Sequence, residues 1–305
     1  MILSIIVPVF NGEKDILRCL ESLTLIKEKE AEFIVVNDGS TDSTKELVQA
    51  YIKKDSRICL INQVNAGVGK ARNTGLFHSS GKYVGFVDAD DEITMDYNEI
   101  IQVAKKCESD LYSFDFYVKN RNIIKRQERY LYTEGTNDRK ALYNNFLKGN
   151  SNCVWNNLYK TDIIRRNNIY FSEKAGMGED CVFNARYFKH CKNVFYIKKT
   201  GYKYYADRQG SASKLKKISY LSDFVKVYDA NKDIYKLDEE LEFLFDCPYY
   251  LDMVYEILRE NLGKMTKNQK KIFRKSEFYQ VLMKYKYNNC KQNQKKWFIR
   301  FNLYF

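Results

Sequence analysis

Tyr83-Val84-Gly85-Phe86-Val87-Asp88-Ala89-Asp90-Asp91 is an apolar run that breaks abruptly into carboxylates. Residues Tyr83 to Val87 read as a strand buried on both faces, the pattern of a parallel sheet covered by helices. Three earlier runs have the same character: Ile2 to Val9, Glu32 to Val36, and Ile58 to Ile61. Helical spacing separates them. Ile16, Leu17, Leu20 and Leu23 recur within a helix expected from Glu13 to about Lys29. Thr41 or Asp42 is placed to cap a second helix through Tyr51, and a third follows Gly67 and Gly69, from about Lys70 to Phe77. Strands alternating with helices predict an α/β fold, a mostly parallel sheet with helices on both sides. Ligands in such sheets bind at the carboxyl ends of the strands. The polar clusters fall at those ends: Asn11 and Glu13, then Asp38, then Asp88 to Asp91.

Further along the chain, Asp110 to Val118 is an expected strand, Lys125 to Leu131 part of a hairpin, and Asp138 to Leu147 a helix. Cys153 to Tyr159 is an aromatic-rich strand or turn. Gly176 and Gly178 precede Glu179-Asp180, which starts a helix through Phe188, and Val194 to Tyr196 and Tyr202 to Tyr205 are two short strands. Beyond Leu215 the pattern turns helical. Leu221, Phe224, Val225 and Tyr228 mark one apolar face; Leu241, Leu244, Phe245 and Leu251 begin another. These changes predict an α/β unit over residues 1–214 and a helical C-terminal region over 215–305.

The 305 residues suit one elaborated domain or two packed units. A hydrophobic fraction of 45% with 30% charged residues belongs to a folded globular protein. The net charge of +12 favours polyanionic partners, or else only solubilises the surface. The 8 Cys form no CxxC pair, and with only His78 and His190 available a zinc site is not expected. Scattered cysteines of this kind read as reduced, mostly buried thiols of a cytosolic protein. The apolar start reaches Pro8, Asn11 and Glu13 too soon for a signal peptide, and no apolar run is long enough to span a bilayer. A cytoplasmic protein is expected, with attachment to the inner face of the membrane left open.

Closely spaced carboxylates such as Asp88, Asp90 and Asp91 are hard oxygen ligands for Mg²⁺ or Mn²⁺, especially a metal shared with a diphosphate. A solvated acidic turn is the plain alternative. Asp38, in the tight Asp38-Gly39 turn, can accept from a base N–H or from ribose hydroxyls; Ser40 or Asp42 is equally a helix cap. In Asn65-Ala66-Gly67-Val68-Gly69-Lys70-Ala71-Arg72-Asn73 the backbone N–H groups and Lys70 or Arg72 can face phosphate oxygens. Glu179-Asp180 can supply a general base or simply cap a helix. Arg208, with Ser211 and Ser213, can close over a diphosphate leaving group or form a surface loop.

Taken together, Ser4 to Asn11, Val36 to Asp42, Asn65 to Asn73, Phe86 to Asp91 and Gly178 to Asn184 resemble the family-two inverting glycosyltransferases with the GT-A fold, in order and spacing, over roughly Met1 to Ser213. The resemblance implies a nucleotide-sugar donor, a saccharide or lipid-linked saccharide acceptor, and Mn²⁺ or Mg²⁺. It assigns the nucleotide to Pro8, Phe10, Asn11, Glu13, Asp38, Asp88, Ala89 and Asp90, with Lys70 and Arg72 nearby. Asp90 is the metal ligand it implies, and Asp180 the base that deprotonates the acceptor. Glu179, Arg208, Ser211 and Ser213 fall where diphosphate or acceptor contacts are expected. Uridine diphosphate is the expected carrier, and bacterial capsule or surface polysaccharide synthesis the expected setting.

The resemblance carries little of the C-terminal region. Lys264 to Lys275 is basic, and Lys295-Lys296-Trp297-Phe298-Ile299-Arg300-Phe301 mixes cations with aromatics. Such a tail can lie on an anionic membrane surface or pack back onto the catalytic unit. Two rivals stay open on the residues alone. A sugar-phosphate nucleotidyltransferase needs a basic glycine-rich loop directly after the first strand, where Pro8-Val9-Phe10-Asn11 stands. A nucleic-acid-binding protein fits the charge, but the acidic strand ends repel phosphate and no binding motif is present, so no nucleic-acid partner is expected.

Overall fold

The structure, a computed structural model, describes residues 1–121, 123–127, 133–142, 153–173, 176–207, 216–235, 247–285 and 290–304. Its centre is a sheet in the order β3-β2-β1-β4-β9-β6-β10-β5, with β7 on β6 and β8 on β10. Strands β1 (Leu3–Val9), β2 (Ala31–Asp38), β3 (Ile58–Gln63) and β4 (Tyr83–Phe86) run parallel. Their carboxyl ends therefore share one edge, where Asn11, Asp38 and Asp88 follow. The second half is mixed. β9 (Asn157–Lys160) is antiparallel to β4 and to β6 (Leu111–Asn120), whereas β10 (Asn193–Tyr205) is parallel to β6. Short β5 (Glu92–Ile93), β7 (Ile123–Gln127) and β8 (Gly135–Asp138) add antiparallel.

Period-two alternation sorts β1 between two cores. Leu3, Ile5, Val7 and Val9 pack with α1 (Ile16–Leu23) and α4 (Tyr97–Lys106), while Ile6 joins Leu76 of α3 (Val68–His78) on the opposite face. α2 (Thr44–Ile52) adds Val48 and Tyr51 to the first core. Each fully buried apolar side chain of this kind contributes about 1.5–3 kcal/mol.

The second core runs from the sheet through α6 (Glu179–Phe188) into the C-terminal helices α7 (Ser219–Tyr235), α8 (Cys247–Glu260), α9 (Lys267–Lys275), α10 (Glu277–Lys284) and α11 (Cys290–Tyr304). Phe183, Phe224, Leu251, Phe278 and Ile299 all belong to it. Leu221, Phe224 and Tyr228 are buried as their spacing predicts; Leu241, Leu244, Phe245 and the 214/215 division lie outside the described residues.

Several elements differ from the sequence reading. The first helix is only Ile16–Leu23, because Asp15 and Ile16 close turns back to Gly12 while the last turn winds out through Thr24 to Ile26. α2 starts after Ser43, not Thr41 or Asp42: Asp42 Oδ1 accepts from Thr44 N at 3.1 Å, but Oδ2 turns away to Glu13 N. The two late short strands are one 13-residue strand, β10, with irregularities between Ile197 and Tyr202 that break its periodicity. Asp138 ends strand β8 instead of starting a helix; the helix begins at Arg139, and residues 143–147 lie outside the described residues. β5, α4 and α5 (Thr161–Arg166) are additions that tertiary contacts stabilise. Of the described cysteines, Cys19, Cys181 and Cys191 are buried but Cys59, Cys107 and Cys290 are exposed, so the thiols are less uniformly interior than expected.

Candidate active site

The loops after β1 and β2 are laced together. Asn11, held at φ +49°, donates its backbone N–H to Ser40 Oγ at 2.9 Å and accepts from Thr41 N through Oδ1 at 2.8 Å. Glu13 N donates to Asp42, and Glu13 Oε2 accepts from Ser43 N. Pro8 is buried in β1, whereas Phe10 stands 51% exposed at the rim, an open aromatic face beside this brace.

Asp38 is buried and points along the sheet edge. Its carboxylate accepts from Gln63 Nε2 at 2.7 Å, Ala66 N at 2.9 Å and Gly67 N at 2.8 Å. It thus fixes the entry to α3. Gly39 makes this approach feasible: at φ +73°, an added Cβ would lie 2.8 Å from Asn65 N. Asp38→Ala should destabilise the protein by about 2–4 kcal/mol, since it strips two backbone donors of their acceptor. Chemical denaturation checks this, and an unchanged midpoint would refute the anchoring role.

Arg72, on α3, is the centre of the site. It is 3% exposed; Nη2 contacts Asp88 Oδ1 at 2.9 Å, and Nη1 contacts Glu179 Oε1 at 2.9 Å and Asp180 Oδ1 at 2.7 Å. The guanidinium also lies over the Phe171 ring at 5.3 Å. Burial works against its charge, yet Asp180, Asp88 and Glu179 together raise its pKa, so it stays cationic. One arginine thereby joins the acidic end of the fourth strand to the start of α6, whose Asp180 lies 108 residues from Arg72 in the sequence. Lys70, two residues earlier, is half-exposed and pairs with Glu173 at 3.1 Å.

Glu179 and Asp180 open α6 behind Gly178, which adopts φ +81°. Both carboxylates, in the first turn of α6, turn to Arg72. Burial raises the Asp180 pKa well above the usual carboxylate range; Arg72 opposes this, while Glu179 and Asp88 add to it. A basic carboxylate with its ordinary affinity for protons strengthened suits proton abstraction near neutral pH.

At the end of β4, Asp88 and Asp90 keep partial exposure and Asp91 is buried. Asp91 accepts from Tyr202 Oη at 2.7 Å and Tyr205 N at 2.9 Å, and Tyr202 Oη also accepts from Asp88 N. Burial, with repulsion from Asp88 and Asp90, pushes the Asp91 carboxyl up to about 8. Arg18 of α1 donates to the Asp90 carbonyl at 2.5 Å, pairs with Glu92 at 3.1 Å and lies 4.2 Å over the Tyr205 ring. Arg18, Tyr202 and Tyr205 thus shape the acidic turn around Ala89. No sequence signal joined them to it, since they are brought there only by α1 and by the full length of β10. Arg208, Ser211 and Ser213 lie outside the described residues.

Among the described residues no group of three or more His, Cys, Asp or Glu is arranged to hold a metal by itself. Mg²⁺ commonly takes one or two carboxylates and completes its shell with substrate phosphate and water. Asp88 and Asp90, two partly exposed carboxylates of one strand-end turn, are the hard oxygen donors such a site would use.

A parallel sheet with this strand-end chemistry and a mixed second half defines a GT-A-type nucleotide-sugar fold. Residues 4–166, just over half the chain, match the family described as Glycosyl transferase family 2, and the chain belongs to that family. It is 33% identical over 227 residues to the glycosyltransferase GlyA of Streptococcus pneumoniae, covering 70% of this chain and 32% of that one. It is 32% identical over 245 residues to the uncharacterized glycosyltransferase YibD of Escherichia coli, covering 74% and 68%. Against EpsJ of Bacillus subtilis the identity is 30%, over 63% of this chain and 58% of the relative. The chain therefore spans about a third of GlyA and little more than half of EpsJ. In fold it is similar to Staphylococcus aureus TarS 1–349 in complex with UDP, with a TM-score of 0.67, 19% identity, and coverage of 99% and 89%. The mannosyltransferase PcManGT of Pyrobaculum calidifontis, in complex with GDP-Man and Mn²⁺, gives a TM-score of 0.57 at 14% identity, covering 99% and 87%.

Proposed function

We propose that this chain transfers a sugar, with inversion, from a UDP-linked donor to an acceptor hydroxyl in surface polysaccharide or glycolipid synthesis, at the cytoplasmic face of the membrane. The observation that carries the reading is the Arg72 junction. It holds Asp180, a carboxylate with raised proton affinity, beside the acidic strand end where a nucleotide diphosphate would sit.

In this reading the nucleotide base lies against Phe10 and the braced loops of Pro8, Asn11 and Glu13. Asp38 holds the α3 entry whose backbone closes the pocket, and the Asp88-Ala89-Asp90 turn faces the ribose and diphosphate. Asp90 would hold Mn²⁺ or Mg²⁺, which when bound offsets charge on the diphosphate leaving group. Asp180 takes the proton from the acceptor hydroxyl as that oxygen attacks the anomeric carbon from the side opposite the diphosphate; this displacement inverts the configuration. Arg72 keeps the base oriented, and Lys70 lies two residues before it on the same helix. Glu179, on the same guanidinium, and Arg208, Ser211 and Ser213 are proposed around the leaving group and acceptor. The UDP and UDP-GlcNAc complexes of TarS support the choice of carrier, and the Mn²⁺ complex of PcManGT supports a divalent ion.

The test is release of nucleoside diphosphate from a panel of nucleotide sugars with Mn²⁺ or Mg²⁺ and added saccharide acceptors. One donor should be turned over, with metal-dependent donor affinity at least about tenfold weaker in Asp90→Ala. Wild-type protein that neither binds nor turns over any donor would sink the reading, and metal-independent turnover unchanged in Asp90→Ala would remove the metal from it.

A further inference from the structure

The net charge of +12 is not spread along the chain. Residues 261–305 hold twelve Lys or Arg and a single acidic residue, Glu277, so nearly the whole excess resides there while the rest of the chain is almost balanced. The same helices expose large apolar side chains. On α11, Ile299 and Leu303 are buried against the C-terminal core, but Trp297, Phe301 and Tyr304 are 66%, 48% and 62% exposed. Their spacing of four and three residues puts them on one outward stripe, and the Trp297 and Phe301 rings stack at 5.4 Å. They border a groove of about 420 Å³ against Tyr279 and Met283 of α10, with Arg300 in its wall.

Cations frame this stripe. Arg274, in the last turn of α9, lies 4.4 Å over the Tyr304 ring. Lys267 and Lys271 share the Arg274 side of α9 by helical spacing, turned away from buried Phe273. A soluble surface gains nothing by leaving a Trp, a Phe and a Tyr in a row in water. A stripe of aromatics edged by Lys and Arg is what the interface of an anionic bilayer accommodates, with rings at headgroup depth and ammonium and guanidinium groups at the phosphates. Among the described residues no helix is long and apolar enough to cross a membrane, so the contact is in the plane of the surface.

We propose that α9 and α11 form an anionic-lipid docking face, with Trp297, Phe301 and Tyr304 entering the interface and Lys267, Lys271, Arg274 and Arg300 reading lipid phosphate. The inference is independent of the catalytic reading, because lipid binding is measured without donor or acceptor.

The full chain should pellet with phosphatidylcholine vesicles containing phosphatidylglycerol and far less with phosphatidylcholine alone, and rising salt should release it. With only Trp155, buried, and Trp297 in the chain, binding should blue-shift the Trp297 emission. Trp297→Ala/Phe301→Ala and Lys267→Gln/Lys271→Gln/Arg274→Gln should each reduce partitioning about tenfold. These side chains are largely on the surface, and circular dichroism confirms that the variants fold. Equal binding to neutral vesicles overturns the proposal, as does anionic binding that the aromatic variant retains without an emission shift. Capture by inorganic polyphosphate with no vesicle binding also overturns it, as does self-association that the aromatic substitutions abolish in lipid-free solution while vesicle binding is absent.

Discussion

Asp180→Asn should leave donor affinity within a few fold of wild type and lower the transfer rate by about 10²–10⁴-fold, the usual contribution of a positioned general base. The amide is nearly isosteric, and its oxygen can still accept from Arg72 Nη1, which now lies 2.7 Å from Oδ1. The fold and donor pocket therefore persist while the proton acceptor is lost. Single-turnover transfer, read beside isothermal titration of donor, separates the two effects. Wild-type transfer in the variant would remove Asp180 from the base role. The pH dependence has a defined sign. The active form is deprotonated, and burial raises the Asp180 pKa, so the rate should climb with pH through a midpoint above the ordinary carboxylate range. A climb complete by the usual carboxylate pKa of about 4 would argue that another group accepts the proton.

The larger effect on stability is expected at Arg72. Arg72→Ala removes the cation that, among the described residues, contacts Asp88, Glu179 and Asp180. Removing one partner from a buried ion pair costs about 3–5 kcal/mol; the partial exposure of the three carboxylates favours the lower end. A loss of about 3 kcal/mol corresponds to a drop in Tm of roughly 6–12 °C for a chain of this size. The crowded carboxylates then hold protons more tightly folded than unfolded, so stability should recover as pH falls and decline as it rises. Thermal melts across mildly acidic to neutral pH test both statements. A melt unaffected by the substitution would mean that the junction contributes nothing net.

The parallel half of the fold is legible in the sequence because its signals are local. β1 through β4 are apolar runs bounded by turn residues, and each ends in a polar cluster, so the shared edge follows from parallel topology alone. Asp88, Asp90 and Asp180 could be singled out for the same reason, as carboxylates at the end of a strand or the start of a helix. What the sequence hides is pairing at a distance. Arg72 in a basic glycine-rich segment reads as a phosphate contact, yet its partners in this structure are acidic side chains up to 108 residues away. Asp38 reads as a free acceptor but spends both oxygens on Gln63, Ala66 and Gly67. β10 reads as two fragments because its irregular centre breaks the alternation that identifies a strand.

At Gly178, immediately before Glu179 and Asp180, an added Cβ would lie 2.7 Å from Val227 Cγ2 of α7. The helix that carries Asp180 thus begins on a surface supplied by the C-terminal bundle. A change at that remote contact would shift the start of this helix, and with it the Asp180 carboxylate that Arg72 holds against Asp88.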